Sequence, residues 1–221
     1  MSLASFEGIG KTSRRTKERL LQRLAERGIR DQAVLDALLN LPRHIFVDEA
    51  IAHKAYEDTF LPIGYNQTIS APYTVARMTE LLLAGGPLKN VLEVGTGSGY
   101  QTAVLAMLVE QVYSVERIKP LQDKARQRLR LLKLRNTHLK HSDGGMGWPT
   151  YGPYDGIIVT AAPKEIPEEL KAQLAIGGRL VIPVGDNDQK LRLLIRRSEY
   201  EFETEIVEKV KFVPLLDGTI S

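Results

Sequence analysis

The chain has 221 residues, 43% hydrophobic and 26% charged, proportions of a folded, water-soluble protein that set it apart from disordered and membrane-embedded classes. Cysteine is absent, which excludes disulfides, thiolate metal sites and cysteine nucleophiles. The 30 Lys+Arg against 27 Asp+Glu leave a net charge of +3, too mild to imply a nucleic-acid partner without a clustered patch.

The first eleven residues are small and polar and lack the apolar stretch of a signal peptide, so a cytoplasmic location is expected and no membrane partner. The length predicts one domain over 1–221, with a helical and loop-bearing part over about 12–86 and a core over about 87–221. From Arg14 to Arg27, Leu20, Leu21 and Leu24 share one side among charges, which predicts a helix. Asp31 stands where it can cap a second helix carrying Val34, Leu35, Leu38 and Leu39, and Pro42 ends it. Residues 60–72 mix Pro, Gly, Asn, Thr and Ser with little periodicity and read as an ordered loop of the kind that carries function. From Pro72, the spacing of Val75, Met78, Leu81 and Leu82 predicts a helix ending at Gly85-Gly86-Pro87.

Strands and helices then alternate. Strands are predicted over 91–94, 111–115, 137–141, 154–160 and 179–184, with helices over 100–109, 120–133 and 167–174. Such repeats imply an α/β, doubly wound, mostly parallel sheet covered on both faces, with ligands beyond the carboxyl ends of its strands. Residues 191–197 and 203–213 are strand-like with no helical pattern between them, and are expected to form an antiparallel hairpin at the sheet edge. The densest basic run, Lys124 to Lys133, is interleaved with Leu129, Leu131 and Leu132. It reads as an amphipathic helix with a solvated basic face, so no nucleic-acid partner is expected.

The first strand of this alternation leads into Glu93-Val94-Gly95-Thr96-Gly97-Ser98-Gly99, and a helix starts near Tyr100. Glycines let a backbone pass close to a ligand, and a helix start presents free N–H groups. The spacing is G-x-G-x-G; Tyr100 stands where a dinucleotide fingerprint has its last glycine, which weakens a pyrophosphate reading. An acid ahead of such a turn is the pattern of S-adenosylmethionine methyltransferases, so Glu93, Gly95, Thr96, Gly97 and Gly99 are candidate cofactor residues. About twenty residues after the first glycine, the next strand ends at Val115-Glu116-Arg117, where an acid can accept the ribose hydroxyls. Glu116, with Arg117 beside it, is the candidate. After the third strand, Asp143 and Gly144 are candidates for the adenine end, against the plainer reading of Asp143 as a turn former. His44, His53, His138 and His141 show no metal-ligand spacing, and no metal is expected. Trp148 reads as a packing residue of its loop.

Several segments together resemble the protein-L-isoaspartate (D-aspartate) O-methyltransferase family, over nearly the whole chain. They are Leu41-Pro42-Arg43 with Phe46-Val47, Leu61-Pro62-Ile63-Gly64, Gln67-Thr68-Ile69-Ser70, the stretches 91–103, 114–118, 154–163 and 177–185, and Phe212-Val213-Pro214-Leu215. The resemblance implies a Rossmann-like methyltransferase fold, S-adenosyl-L-methionine as cofactor, and damaged proteins and peptides with isoaspartyl residues as partners. It places Ser70 as the active-site residue, Thr68, Ile69 and Val213 around the isoaspartyl pocket, and Gln67 beside the cofactor. Asn66 and Ala71 depart from the glycine and glutamine common in the family's bacterial members. The stretch from Asp143 to Trp148 also differs slightly from the usual form.

An isoaspartyl residue leaves its α-carboxylate free. With an ordinary carboxylate pKa of about 4 it is ionised at neutral pH and needs no strong general base. Alignment with the methyl carbon and exclusion of water would then supply most of the rate, and the resemblance implies that the ester collapses to a succinimide. A methyltransferase acting on nucleic acid or a small metabolite is the first rival. The sequence Thr160-Ala161-Ala162-Pro163 lacks the Asn/Asp-Pro-Pro-aromatic pattern of exocyclic amine methylation, and cysteine attack on cytosine is impossible here. A non-catalytic cofactor-binding protein is the second rival; Ser70 and the complete glycine loop speak against it.

Overall fold

The computed structural model describes residues 14–221; the reading of the first eleven residues lies outside the described residues. Helix α1 (Arg14–Glu26) buries Leu20 and Leu24. Helix α2 (Gln32–Asn40) starts at the predicted cap, where Asp31 Oδ1 accepts from the Val34 amide at 3.1 Å. Short 3-10 turns follow at Arg43–Phe46 and Glu49–Lys54.

The stretch read as a loop contains a small antiparallel hairpin, β1 (Leu61–Gly64) and β2 (Gln67–Ile69), with Leu61 opposite Ile69 and Pro62 opposite Thr68. Tyr65 and Asn66 at its tip have φ of 54° and 55°, the left-handed pair of a type I′ turn, whose twist suits two adjoining strands. Strands of four and three residues are too short to show a period of two, so the sequence pattern hides them. Helix α3 (Pro72–Leu83) has Pro72 at its first position, where a missing N–H costs nothing.

Among the described residues the main sheet has seven strands. They are β3 (Asn90–Val94), β4 (Gln111–Glu116), β5 (Thr137–His141), β6 (Tyr154–Val159), β7 (Leu174–Val184), β8 (Lys190–Arg196) and β9 (Phe202–Lys209), in spatial order β5-β4-β3-β6-β7-β8-β9. β3 to β7 run parallel and β8 and β9 add antiparallel. This is the predicted doubly wound sheet with an antiparallel carboxyl-terminal edge. Helices α4 (Tyr100–Ala106), α5 (Lys119–Leu131) and α6 (Glu168–Ala172) connect the parallel strands. β7 begins five residues before the predicted strand and absorbs the end of the expected helix.

Neighbouring residues of one strand serve opposite faces. Val91, Val112, Ile158 and Val181 enter one core, and Leu92, Val115, Ile157 and Leu180 enter the other. Each such fully buried side chain contributes roughly 1.5–3 kcal/mol, so both faces hold the central strands rigid. Among the described residues no helix is long and apolar enough to cross a membrane.

After β9 the chain returns to the site. The Ala162 amide donates to Val213 O at 2.8 Å, and the Leu215 amide donates to Ala162 O at 2.9 Å. Further on, the Ile220 amide donates to Arg117 O at 2.7 Å and the Lys119 amide to Ile220 O at 2.9 Å. The tail therefore connects the carboxyl end of β6 to that of β4.

Candidate active site

A cleft opens at the carboxyl ends of β3, β4 and β6, the crevice that a doubly wound sheet offers to ligands. Gly95, Thr96 and Gly97 form one wall, and Gly97, with φ of 51°, adopts a backbone that few side chains tolerate. Ile63 Cδ1 would lie 3.5 Å from a Cβ at Gly97, so the β1–β2 hairpin stands over the loop.

Glu116 closes β4 on the cleft wall. Its Oε2 accepts from the Gly97 amide at 2.8 Å and its Oε1 from the Ile118 amide at 2.9 Å. The carboxylate is fixed in place, and each oxygen retains a lone pair for a hydroxyl. Arg117 lines the cleft too, while its guanidinium donates to the carbonyls of Asp217 and Gly218 at 3.2 and 3.3 Å and so holds the tail.

Three expected cofactor residues lie off the cleft wall. Glu93 is fully buried behind the glycine loop, where its Oε2 accepts from Thr102 Oγ1 and Ser114 Oγ, each at 2.5 Å. Ser114 Oγ is also 2.6 Å from Thr96 Oγ1. Burial pushes the Glu93 carboxyl up to about 8, against the opposing pull of the two hydroxyls. At neutral pH it is therefore a protonated strut that reaches the loop through Ser114 and Thr96, and its reading as a direct cofactor contact is corrected. Gly99 has φ of 87°, and a Cβ there would stand 3.0 Å from Ala125 Cβ in α5; it lets α5 pack against the loop. Asp143 accepts from the Gly145 amide at 2.9 Å and the Gly218 amide at 2.6 Å. Its carboxylate closes the turn and ties down the tail. Gly144 beside it does line the cleft.

The opposite wall comes from distant sequence. Gln67, Thr68, Ile69 and Ser70 line it, with Val213 from the tail. Arg43 Nη2 donates to Ser70 O at 2.7 Å, while the Ser70 hydroxyl has no hydrogen-bond partner among the described residues. The sequence reading missed Tyr100 and Gln101 at the start of α4, Thr160 and Ala161 after β6, and Pro214 to Leu216. Thr160 Oγ1 donates to Gly95 O at 2.7 Å and Val94 O at 3.1 Å, bracing the glycine loop from the adjacent strand. The signal for it was its place one residue past a strand that pairs with β3.

Trp148 packs edge-on against Tyr113, with ring centroids 5.8 Å apart. Among the described residues no three His, Cys, Asp or Glu side chains gather to hold a metal.

The family described as protein-L-isoaspartate(D-aspartate) O-methyltransferase matches residues 14–220. A protein-L-isoaspartate O-methyltransferase of Cellvibrio japonicus is 63% identical over 217 residues, covering 97% of this chain and 97% of its own. The protein-L-isoaspartate O-methyltransferase 1 of Marinobacter nauticus is also 63% identical over 217 residues, covering 98% of this chain and 99% of its own. One solved structure, described as a protein-L-isoaspartate O-methyltransferase from Plasmodium falciparum in complex with S-adenosyl-L-homocysteine, is 28% identical. It matches with a TM-score of 0.78, covering 90% of this chain and 98% of its own.

Proposed function

The chain belongs to the protein-L-isoaspartate(D-aspartate) O-methyltransferase family, and from that premise we propose how its cleft carries out the reaction. The enzyme transfers a methyl group from S-adenosylmethionine to the free α-carboxylate of isoaspartyl residues in damaged proteins. The observation that carries the site assignment is the meeting of two sets of residues in one cleft: Gly95 to Gly97 and Glu116 on one side, Gln67 to Ser70 and Val213 on the other.

The first set fits the cofactor. Glycines without side chains leave room along the wall, Glu116 accepts the ribose hydroxyls, and Gly144 lets the adenine end approach. Gln67 stands at the junction of the two sets. When bound, S-adenosylmethionine supplies an electrophilic methyl group on a sulfonium. The second set orients the acceptor. The free hydroxyl of Ser70 donates to one oxygen of the isoaspartyl carboxylate and holds the other toward the methyl carbon. Thr68, Ile69 and Val213 enclose the residue's backbone and keep water out. The carboxylate arrives ionised, so no side chain has to remove a proton; positioning and desolvation carry the rate.

L-isoaspartyl residues are the main substrates, with D-aspartyl residues as a second class that presents a carboxylate in a related position. The parts over about 12–86 and 87–221 act as one domain, since the first supplies the acceptor wall and the second the donor wall. The protein works in the cytoplasm, on protein and peptide partners rather than nucleic acid.

The test is methyl transfer from labelled S-adenosylmethionine to a short isoaspartyl peptide beside its normal aspartyl twin. Base-labile methyl ester on the isoaspartyl peptide alone is the expected result. Equal labelling of both peptides, or of neither while cofactor still binds, would contradict the reading.

A further inference from the structure

Among the described residues the largest fully buried side chain is that of a cation, Arg43. Its Nε donates to Ala55 O at 2.8 Å and its Nη2 to Ser70 O at 2.7 Å, while Nη1 is buried with no hydrogen-bond partner. The guanidinium carbon lies 4.7 Å from the centroid of the Tyr100 ring. Among the described residues no carboxylate forms an ion pair with it. Asp58, whose charge reaches it, is already held by the Arg27 guanidinium and the Tyr73 amide.

A buried charge without a counter-ion costs several kcal/mol, and an apolar side chain of similar volume is the cheaper filling for such a site. Two carbonyl oxygens and one ring face offset part of that cost. What distinguishes the position is that two of the groups touching Arg43, Ser70 and Tyr100, are themselves walls of the cleft. The charge therefore sits one residue's thickness behind the cleft surface, itself fully buried.

We propose that Arg43 is a positioning and specificity residue. Its Nη2 fixes the backbone of Ser70 so that the hydroxyl faces the cleft, and its uncompensated charge selects an acceptor bearing a carboxylate. The substrate's α-carboxylate is the missing counter-ion, held across the Ser70 and Tyr100 wall without direct contact. The inference rests on the isoaspartyl reading above and adds the origin of its preference for an ionised acceptor.

The experiment compares an isoaspartyl peptide with the same peptide in which the free α-carboxylate is amidated. The acid is followed as substrate and the amide as competitive inhibitor, with cofactor affinity measured by calorimetry as the control for an intact fold. Wild-type enzyme is expected to bind the acid more tightly than the amide by about tenfold or more, the size of one charge interaction at an effective dielectric of about 20. Arg43→Gln should abolish that preference while binding S-adenosylmethionine as wild type does. Arg43→Lys should keep the preference and lower kcat, because an ammonium cannot reproduce the fork that holds Ala55 O and Ser70 O together.

Equal binding of acid and amide by the wild type would overturn the charge role without any variant. A wild-type kcat in Arg43→Lys would overturn the positioning role. An undiminished preference in a cofactor-binding Arg43→Gln enzyme would overturn the charge role. If wild-type enzyme turns over no isoaspartyl peptide at all, it is the substrate reading that fails.

Discussion

The two walls of the cleft are built in different ways. The donor wall is mostly local: one strand, one glycine turn and the acid at the end of the next strand, all within 90–117, braced by hydrogen bonds among themselves. The acceptor wall is assembled from afar, with a hairpin at 61–69 and a tail at 213–216 brought together by backbone pairing to Ala162 and by Arg43 beneath Ser70. A cofactor common to many enzymes can be held by a portable motif, whereas a damaged peptide is recognised by a surface particular to one family.

The largest effect is expected just behind the donor wall, where the glycine turn packs on α5. Gly99→Val combines a left-handed backbone with a collision against Ala125, at a cost of roughly 2–5 kcal/mol. A thermal melt should show a lower Tm, and calorimetry a loss of cofactor binding. If Tm and affinity both stay at wild-type values, the loop is not packed as described.

Glu93 gives the next effect, and it depends on pH. Its folded value of about 8 lies above the ordinary 4.5, so the folded chain keeps a proton that the unfolded chain releases between those values. Stability should fall as pH rises through that window and level off above it, by up to about 1.4 kcal/mol per pH unit. Glu93→Gln should remove this component, so the variant gains on wild type toward pH 8 in denaturant titrations. Parallel stability curves for the two proteins would show that Glu93 is ionised in the fold.

Glu116→Ala removes the acceptor shared by Gly97 and Ile118. It should weaken S-adenosylmethionine binding by about 10- to 100-fold, the range for charged hydrogen bonds, while leaving the KM for peptide within about threefold if the walls are independent. A parallel rise in both constants would merge them.

The smallest effect belongs to the hairpin tip. Asn66 already occupies a left-handed position, which glycine also accepts, so Asn66→Gly should change stability by less than about 1 kcal/mol. It should leave kcat/KM unchanged. A large drop in kcat/KM would give the tip a direct part in substrate binding.

The same contrast governs what could be read from the residues. The alternating pattern of the parallel sheet, the Asp31 cap, the glycine turn and Glu116 were all legible, because each depends on neighbours close in sequence. The hairpin was not, since strands of four and three residues are too short to display an alternation of two. Glu93, Gly99 and Asp143 were placed at the cofactor because motif spacing says where a residue falls along a strand and turn. It does not say which side of the turn faces the ligand. Burial takes Glu93 off the cleft wall, Ala125 approaches Gly99 from α5, and the tail's Gly218 engages Asp143; all three depend on contacts outside the motif. Ser70 and Val213 came from family resemblance alone, and nothing in their local pattern separates Ser70 from a residue that shapes the turn before Pro72.

The most direct test of the two-walled cleft is Ser70→Ala, with cofactor affinity and isoaspartyl methylation measured on the same preparation. The account predicts unchanged affinity for S-adenosylmethionine with a drop in kcat/KM of about tenfold or more, as expected when one hydrogen bond to a charged group is removed. Unimpaired methylation, or a loss of cofactor binding equal to the loss of rate, would contradict it.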